Sequence, residues 1–236
     1  MARSSPPGAN TRTRVLSALV LAPVAFGAAW FGGWAFAAFW ILAALAVLYE
    51  WTKIALGEAS LVGAPRAAWL VAGAAYAFLM GWSPIVLRND PQFGFAVIVL
   101  LFAVVWTTDI LGYFGGRAFG GPKLAPAISP SKTWSGAIAG TLGAAVASAL
   151  VAAALGIRVL PVILVGVVLS FVSQAGDLAE SAFKRKFHTK DASNLIPGHG
   201  GVMDRLDGFW AAALTAAIIG ITRAGLAEPA RGLLVW

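Results

Sequence analysis

Long apolar runs separated by short polar segments dominate the chain. A helix needs about 20 mostly apolar residues to cross a bilayer, and the apolar runs cover residues 15–31, 34–50, 67–87, 93–108, 136–155, 159–176 and 208–222. Residues 15–49 form one uncharged block that is too long for a single crossing, and Gly32 and Gly33 are the predicted turn between the first two runs. The pattern predicts an all-α fold, a polytopic membrane helix bundle with about seven transmembrane helices.

The polar segments divide this bundle into regions. Residues 1–14 are predicted to be a disordered cytoplasmic tail, and residues 15–108 the N-terminal transmembrane helices. The tail is not expected to be a cleaved signal peptide, because the apolar block after it continues into a second span. Residues 109–236 are predicted to form a catalytic membrane domain with two polar site loops, at 109–135 and 177–207.

Composition narrows the class of protein. Hydrophobic residues make up 59% of the chain and charged residues 11%, whereas soluble domains are about half apolar and about a quarter charged. A water-soluble globular domain is therefore excluded. The chain contains no Cys, which excludes disulfides, thiolate nucleophiles and cysteine metal sites. The net charge of +7 does not indicate nucleic acid, because the basic residues interrupt apolar runs instead of forming a basic face.

Basic residues are distributed unequally between the two sides of the predicted bundle. If the amino terminus is cytoplasmic, only four of the 17 Lys and Arg residues lie outside: Arg88, Arg158, Arg223 and Arg231. Cytoplasmic loops carry an excess of Lys and Arg, so this orientation is favoured. It places both predicted site loops on the cytoplasmic side.

Three aspartates indicate a metal site. Asp204 and Asp207 are three residues apart and project from one face of a helix, and Asp177 is expected to close the sixth span. Mg²⁺ prefers oxygen ligands, typically one or two carboxylates together with substrate phosphates. We expect Asp177, Asp204 and Asp207 to hold one or two such ions. Alternatively, Asp204 caps the helix or pairs with Arg205, and Asp177 is a solvated helix end.

A basic cluster and a glycine-rich turn lie between these acids. The cluster comprises Lys184, Arg185, Lys186 and Lys190, which would meet either lipid headgroups or substrate phosphates. The turn that follows contains His199, Gly200 and Gly201, and such a turn lets backbone amides approach a phosphate. His199 is expected to be a turn residue or a phosphate contact, not a general base.

The first polar segment has a similar composition. Arg117, Lys123 and Lys132 are set among glycines, and the hydroxyl residues Ser129, Ser131 and Thr133 closely precede the fifth span. Hydroxyls, a lysine and free helix amides are groups that bind an anion, so this segment is a candidate anion site. The alternative is a flexible loop in which Ser131 or Thr133 is an ordinary N-cap.

The string SAFKRKFHTKDASNLIPGHGGVMDRLD, residues 181–207, resembles the signature of the phosphatidate cytidylyltransferases, also called CDP-diacylglycerol synthases. The matching positions are Ser181, Lys184, Arg185, Lys190, Asp191, Pro197, His199, Gly200, Gly201, Asp204, Arg205 and Asp207. The string GDLAES at 176–181 and the segment from Asp109 to Thr133 are also similar to that family. Ser131 and Ser135 stand where the family often has Lys and Glu.

The resemblance implies transfer of CMP from CTP to phosphatidic acid, with Mg²⁺ as cofactor and CDP-diacylglycerol and pyrophosphate as products. In line with its acidic positions, the metal would be held by Asp177, Asp204 and Asp207. Lys132, Lys184 and Arg205 would join these acids as catalytic residues. The expected substrate-binding residues are Arg117, Lys123, Ser129, Ser131, Thr133, Arg185, Lys190, His199, Gly200 and Gly201. The expected partners are CTP, phosphatidic acid and membrane lipids, without nucleic acid, and the expected location is the bacterial inner membrane with the active site facing the cytoplasm.

Several alternatives stay open at this point. A related CTP-dependent lipid kinase would release CDP in place of pyrophosphate, and a CDP-archaeol-type synthase would use a different lipid. A transporter of phosphorylated solutes would carry charges along its spans, most of which are uncharged here. A structural scaffold has no evident use for so many acids and bases. Small residues at 140–149 would permit close helix packing and a homodimer.

Overall fold

The computed structural model describes residues 7–196 and 200–236, with side chains described from Leu19 onward. The elements in chain order are the helices α1 (Pro7–Phe31), α2 (Gly33–Gly57), α3 (Ala64–Arg88) and α4 (Gly94–Phe119), the strands β1 (Lys123–Ala125) and β2 (Ser129–Thr133), and the helices α5 (Trp134–Ala154), α6 (Val159–Lys186), α7 (Met203–Ala224) and α8 (Pro229–Leu234).

The predicted polytopic helix bundle is confirmed. Six helices, α2 to α7, are long and apolar enough to cross a membrane, and α1 contributes the apolar stretch Leu19–Phe31. Each predicted span overlaps one of the helices α1 to α7. The predicted turn between the first two spans is also confirmed, since Gly32 and Gly33 have φ values of 63° and 50°, a region that favours glycine. The tail predicted for residues 1–14 falls partly outside the described residues, and α1 begins at Pro7.

The expected loop at 109–135 is mostly regular structure, and the one at 177–207 begins and ends in helices, which corrects the prediction. Helix α4 continues to Phe119 and α6 to Lys186, so Asp109 and Asp177 lie within helices and not at span ends. Strands β1 and β2 form an antiparallel hairpin between α4 and α5. The physical reason is that an apolar run marks only the part of a helix in hydrocarbon, whereas the helix itself continues into the polar interface.

Glycines bring the backbones of neighbouring helices close together. A Cβ atom on Gly140 of α5 would lie 2.6 Å from the carbonyl oxygen of Thr108 on α4, and one on Gly176 of α6 would lie 2.7 Å from the carbonyl oxygen of Asp207 on α7. Close backbone approach is a main source of helix association in membranes. The small residues expected to permit a homodimer are therefore used in part within the chain, and the homodimer stays a prediction.

A small apolar cluster packs beneath the segment that connects α6 to α7. It contains Val47, Trp51, Ile54, Ala55, Met80, Phe183, Phe187, Ala192 and Met203. Trp51 of α2 stacks on Phe183 of α6 with ring centroids 3.9 Å apart. This packing fixes α2 against the ends of α6 and α7, where the acidic and basic residues are concentrated.

At the opposite end of the bundle, Asp90, between α3 and α4, connects the start of α4 to α8. Its Oδ1 accepts hydrogen bonds from the backbone N–H groups of Gln92 and Phe93, at the start of α4. Its Oδ2 accepts from the backbone N–H of Arg231 in α8, at 2.9 Å. Helix α8, which the hydropathy pattern did not predict, is held against the bundle by this contact.

Candidate active site

A cavity of about 730 Å³ lies between α4, α5, α6, α7 and the hairpin. Its polar and charged lining residues are Thr108, Asp109, Tyr113, Arg117, Lys123, Ser131, Lys132, Thr133, Gln174, Asp177, Asp204, Arg205 and Asp207. The two polar segments separated by some forty residues of chain thus contribute to one site. All three predicted metal carboxylates line it.

Three of the carboxylates come from three different helices. Asp109 on α4, Asp177 on α6 and Asp207 on α7 line the cavity, and the charges of Asp109 and Asp207 both interact with that of Asp177. The close packing of Gly176 on α7 places Asp177 beside Asp207. Asp109 was not among the predicted metal ligands, although its place at the end of an apolar run could have indicated it.

Asp204 accepts three hydrogen bonds within the protein, two of them from backbone N–H groups. Oδ1 accepts from the Lys184 ammonium at 2.6 Å, and Oδ2 accepts from the backbone N–H groups of Ala192 and Gly201 at 2.9 and 2.8 Å. Asp204 therefore ties both ends of the segment between α6 and α7 to the first turn of α7.

Lys184 lies behind this site and not on its surface. Its ammonium pairs with Glu180 at 2.9 Å and with Asp204 at 2.6 Å, and its side chain is only 12% exposed. Lys184 is absent from the cavity lining. Lys184 therefore contacts Asp204 and not the cavity. Glu180, which we did not predict as a site residue, completes a buried charge triad with Lys184 and Asp204.

The hairpin forms one wall of the cavity. Lys132 of β2 donates a hydrogen bond to Oδ2 of Asp177. Thr133 is the N-cap of α5, and its hydroxyl accepts from the backbone N–H of Gly136 at 3.1 Å. Ser131 and Lys123 also line the cavity, whereas Ser129 in the same hairpin does not.

The remaining predicted basic residues divide into two groups. Arg117 lines the cavity and donates to the hydroxyl of Tyr113 at 3.0 Å. Arg185 donates to the carbonyl oxygen of Ile128 in the hairpin, at 3.4 Å, and it lies outside the cavity lining, as does the exposed Lys190.

The glycine-rich turn serves the α6–α7 segment itself. The carbonyl of Gly200 accepts from the backbone N–H of Ile196 at 2.8 Å, and the N–H of Gly201 donates to Asp204. Neither glycine lines the cavity. His199, predicted as a substrate contact, lies outside the described residues.

A group of uncharged polar side chains lies at the deep end of the cavity. The hydroxyls of Thr108 and Ser170 are 2.8 Å apart, and the Gln174 amide donates to the hydroxyls of Thr141 and Ser170 at 3.2 and 3.3 Å. These residues join α4, α5 and α6 within the apolar runs of the three helices. We did not predict them, although polar residues inside apolar runs were the available signal.

The donor set at the cavity suits a hard divalent cation bound together with phosphate. Within the described ranges, no group of three His, Cys, Asp or Glu side chains forms a preassembled metal cluster. Mg²⁺ does not need one, because it keeps several waters and typically takes one or two carboxylates plus substrate phosphates. Asp177 and Asp207 supply two carboxylates from neighbouring helices.

Comparison with known proteins identifies the family. Residues 65–222 match the model of the Cytidylyltransferase family. A phosphatidate cytidylyltransferase from Brucella abortus (strain 9-941) is 43% identical, over 93% of this chain and 96% of its own length. Proteins of the same name from Rickettsia bellii and Haemophilus influenzae are 42% and 44% identical over 52% and 55% of this chain, and over 55% and 46% of their own lengths. With its site segments inside the matched residues, this chain belongs to the cytidylyltransferase family.

Proposed function

We propose that this protein transfers CMP from CTP to phosphatidic acid, giving CDP-diacylglycerol and pyrophosphate, at the cavity between α4, α5, α6, α7 and the hairpin. The single observation that carries the proposal is the combination, in one cavity at the ends of membrane helices, of three neighbouring carboxylates with four basic side chains. The similarity to phosphatidate cytidylyltransferases over nearly the whole chain supports it.

The chemistry requires two anions to meet. An oxygen of the lipid phosphate attacks the α-phosphorus of CTP, the bond from that phosphorus to the bridging oxygen breaks, and pyrophosphate leaves with the electron pair. The nucleophile is already ionised, so no strong general base is needed. Catalysis then depends on positioning the reactants and on neutralising their negative charge.

The basic residues of the cavity would perform much of that neutralisation. Lys132 and Arg205 lie beside the carboxylates, and the charges of both interact with Asp109. Lys123 and Arg117 are exposed residues of the same lining, where they would meet the phosphates of CTP arriving from water. Lys184 would act indirectly, because its ammonium holds the carboxylate of Asp204 in place.

Mg²⁺ is the cofactor that fits the acidic residues. Asp177 and Asp207 would hold it, with Asp109 and Asp204 at the same cavity. When bound, the ion would offset the negative charge that develops on the departing pyrophosphate.

The position of the cavity also suits the two substrates. CTP is soluble in water and phosphatidic acid is confined to the bilayer, so a site at helix ends can meet both. Exposed apolar side chains on the neighbouring parts of α4 and α5, namely Ile110, Phe114, Phe119, Trp134 and Ile138, would contact the acyl region of the membrane.

One assay tests the reaction. Purified protein incubated with radiolabelled CTP, phosphatidic acid and Mg²⁺ should produce lipid-soluble cytidine label together with pyrophosphate. Removal of the divalent ion with a chelator should stop the reaction, and added Mg²⁺ should restore it. Release of CDP without lipid-soluble cytidine would instead indicate a lipid kinase, and activity unchanged by chelation would contradict the metal assignment.

The cavity is proposed to face the cytoplasm at the inner membrane, because the positive-inside rule favours that orientation. The absence of Cys allows a direct test. Ser60, between α2 and α3, and Arg158, between α5 and α6, are both exposed and mark opposite ends of the bundle. In spheroplasts, a membrane-impermeant maleimide should label Arg158→Cys and spare Ser60→Cys. The reverse pattern would overturn the orientation.

A further inference from the structure

Glu50 of helix α2 is a charged residue that is completely buried inside the bundle. Ionisable residues within membrane segments are costly and are usually kept for a specific role. Glu50 is not part of the cavity lining, and it lies outside residues 65–222, the region that matches the family. Its role therefore has to be found in its own contacts.

The carboxylate of Glu50 accepts three hydrogen bonds from the segment that leads into α7. Oε1 accepts from the hydroxyl of Ser193 at 2.5 Å and from the backbone N–H of Val202 at 2.9 Å. Oε2 accepts from the backbone N–H of Met203 at 2.8 Å. These donors are more than 140 residues away along the chain.

Two of these donors lie at the amino-terminal end of α7. Met203 is the first residue of that helix, and the N-cap residue Val202 makes no side-chain cap. The first N–H groups of a helix lack partners within the helix, and a carboxylate there is favoured by both hydrogen bonding and the helix dipole. Glu50 thus supplies from α2 the cap that the local sequence of α7 lacks.

The approach of Glu50 also explains the glycine at position 201. A Cβ atom there would lie 2.6 Å from Oε1 of Glu50, closer than any side chain can be accommodated without displacement. The sequence pattern indicated a turn that approaches phosphate. In the structure, Gly201 is instead the position where the turn approaches a buried carboxylate.

Glu50 and Asp204 together hold the segment between α6 and α7 in place by accepting its hydrogen bonds. Glu50 binds it at Ser193 and Val202, while Asp204 binds it at Ala192 and Gly201. The first turn of α7 that follows carries three residues of the cavity lining: Asp204, Arg205 and Asp207. Displacement of this turn would move all three relative to Asp177 and Lys132.

We propose that Glu50 is a positioning residue for the transfer reaction: its carboxylate holds the first turn of α7 so that Asp204, Arg205 and Asp207 face the cavity. The inference rests on the proposed function of the cavity. Misplacement of reacting groups by about 1 Å can cost on the order of 100-fold in rate, so a cap distant from the chemistry can control kcat.

The test compares Glu50→Gln with Glu58→Gln in the full-length protein in detergent. Gln keeps the size of Glu, but its amide nitrogen cannot accept from a backbone N–H. Glu58 is a partly exposed glutamate at the end of α2 whose carboxylate accepts hydrogen bonds from Ser60, two residues away, so its replacement is the matched control. We expect Glu50→Gln to lower kcat by about 10-fold or more, with KM for CTP and phosphatidate changed less than about 3-fold, and Glu58→Gln to leave both unchanged.

Hydrogen exchange gives a readout that does not depend on activity. In Glu50→Gln, the amides of Val202 and Met203 should exchange about 10-fold faster, with the exchange of α4 and α5 unchanged. Unchanged exchange at these amides would show that Glu50 does not hold the first turn of α7. Faster exchange with a wild-type kcat would show that holding this turn does not position the catalytic groups. If the wild-type protein made no CDP-diacylglycerol, the proposed function would be wrong. Amide exchange would still show whether Glu50 holds the first turn of α7.

A milder variant covers the case in which Glu50→Gln does not fold. Ser193→Ala removes one donor and leaves both backbone contacts, so we expect kcat to fall about 2- to 3-fold with a smaller increase in exchange at Val202. If Glu50→Gln folds, Ser193→Ala should add little to it, because both changes remove the same interaction. A wild-type kcat and wild-type exchange in Ser193→Ala would contradict the proposal.

Discussion

Lys132, near the end of the hairpin, forms an ion pair with Asp177 of α6. This contact joins the two polar segments of the chain across the cavity. Both side chains are partly exposed, at 26% and 29%, so solvent screens the attraction and the pair contributes little to stability, on the order of 1 kcal/mol or less. The two groups are available instead to substrate phosphate and to a cation.

We expect Lys132→Met to lower CMP transfer by about 100-fold or more, because the variant lacks the positive charge nearest to Asp177. The unfolding temperature should change little, since the pair is partly exposed. The measurement is the rate of lipid-soluble cytidine formation together with thermal unfolding in detergent.

The charge-exchanged double variant Lys132→Asp with Asp177→Lys separates function from structure. It retains an ion pair but reverses the position of each charge, so it should remain inactive. Recovery of near wild-type activity in this variant would show that the pair has only a structural role.

Asp207 and Asp204 should respond differently to the same substitution. Asp207→Asn should reduce transfer by at least about 100-fold and leave the unfolding temperature nearly unchanged, because its Oδ1 accepts a hydrogen bond from the neighbouring N–H of Gly208, which the Asn side-chain oxygen can still accept. Asp204→Asn should lower both activity and unfolding temperature, because it weakens contacts to Lys184, Ala192 and Gly201. Equal unfolding temperatures for the two variants would contradict this distinction.

Lys184→Met should strongly destabilise the protein. It leaves the buried carboxylates of Glu180 and Asp204 without their common cation, and removing one partner from a buried ion pair costs about 3–5 kcal/mol. Lys186→Met is the matched control, since Lys186 is exposed and its ammonium lies 5.6 Å from the centroid of the Trp69 ring. Unfolding of both variants in detergent measures the difference, and a stability equal to that of the control would argue against the buried triad.

Gly140→Ala should also destabilise the bundle, by about 1–3 kcal/mol. The added methyl group would lie 2.6 Å from the carbonyl oxygen of Thr108, and backbone on a packed helix cannot move aside cheaply. Gly27→Ala is the control, because a Cβ atom at Gly27 of α1 would meet no atom within 4 Å beyond its chain neighbours and the backbone of its own helix. Thermal unfolding of both variants tests whether close packing of α4 on α5 is required.

Much of the membrane topology could be predicted from the sequence, because each crossing needs an apolar stretch of nearly constant length. The ends of α4 and α6 could not. The sequence pattern predicted that Asp109 and Asp177 end their spans. The helices continue where side chains become polar, and only packing shows where they stop. The hairpin was not predicted, because Pro and Gly residues in a short segment indicate turns without specifying strand pairing.

The candidate site was predictable where its residues were close in sequence. Asp204 and Asp207 share a helix face because they are three residues apart, and both line the cavity. The internal bonding of Asp204 could not be foreseen, since it depends on the path of the segment between α6 and α7. Glu50 carries no local signal for its partner, because Val202 lies more than 150 residues away.

The lining residues of α4 and α6 that lie furthest from the polar ends of these helices are Thr108 and Gln174, where hydroxyl and amide contacts join α4, α5 and α6. The far end of the bundle, which Asp90 fastens to α8, lies well beyond that point. A lipid that enters the cavity is thus expected to return to the leaflet from which it came. The enzyme would then modify headgroups without moving them across the bilayer, so any even spreading of its product between leaflets would require a separate flippase.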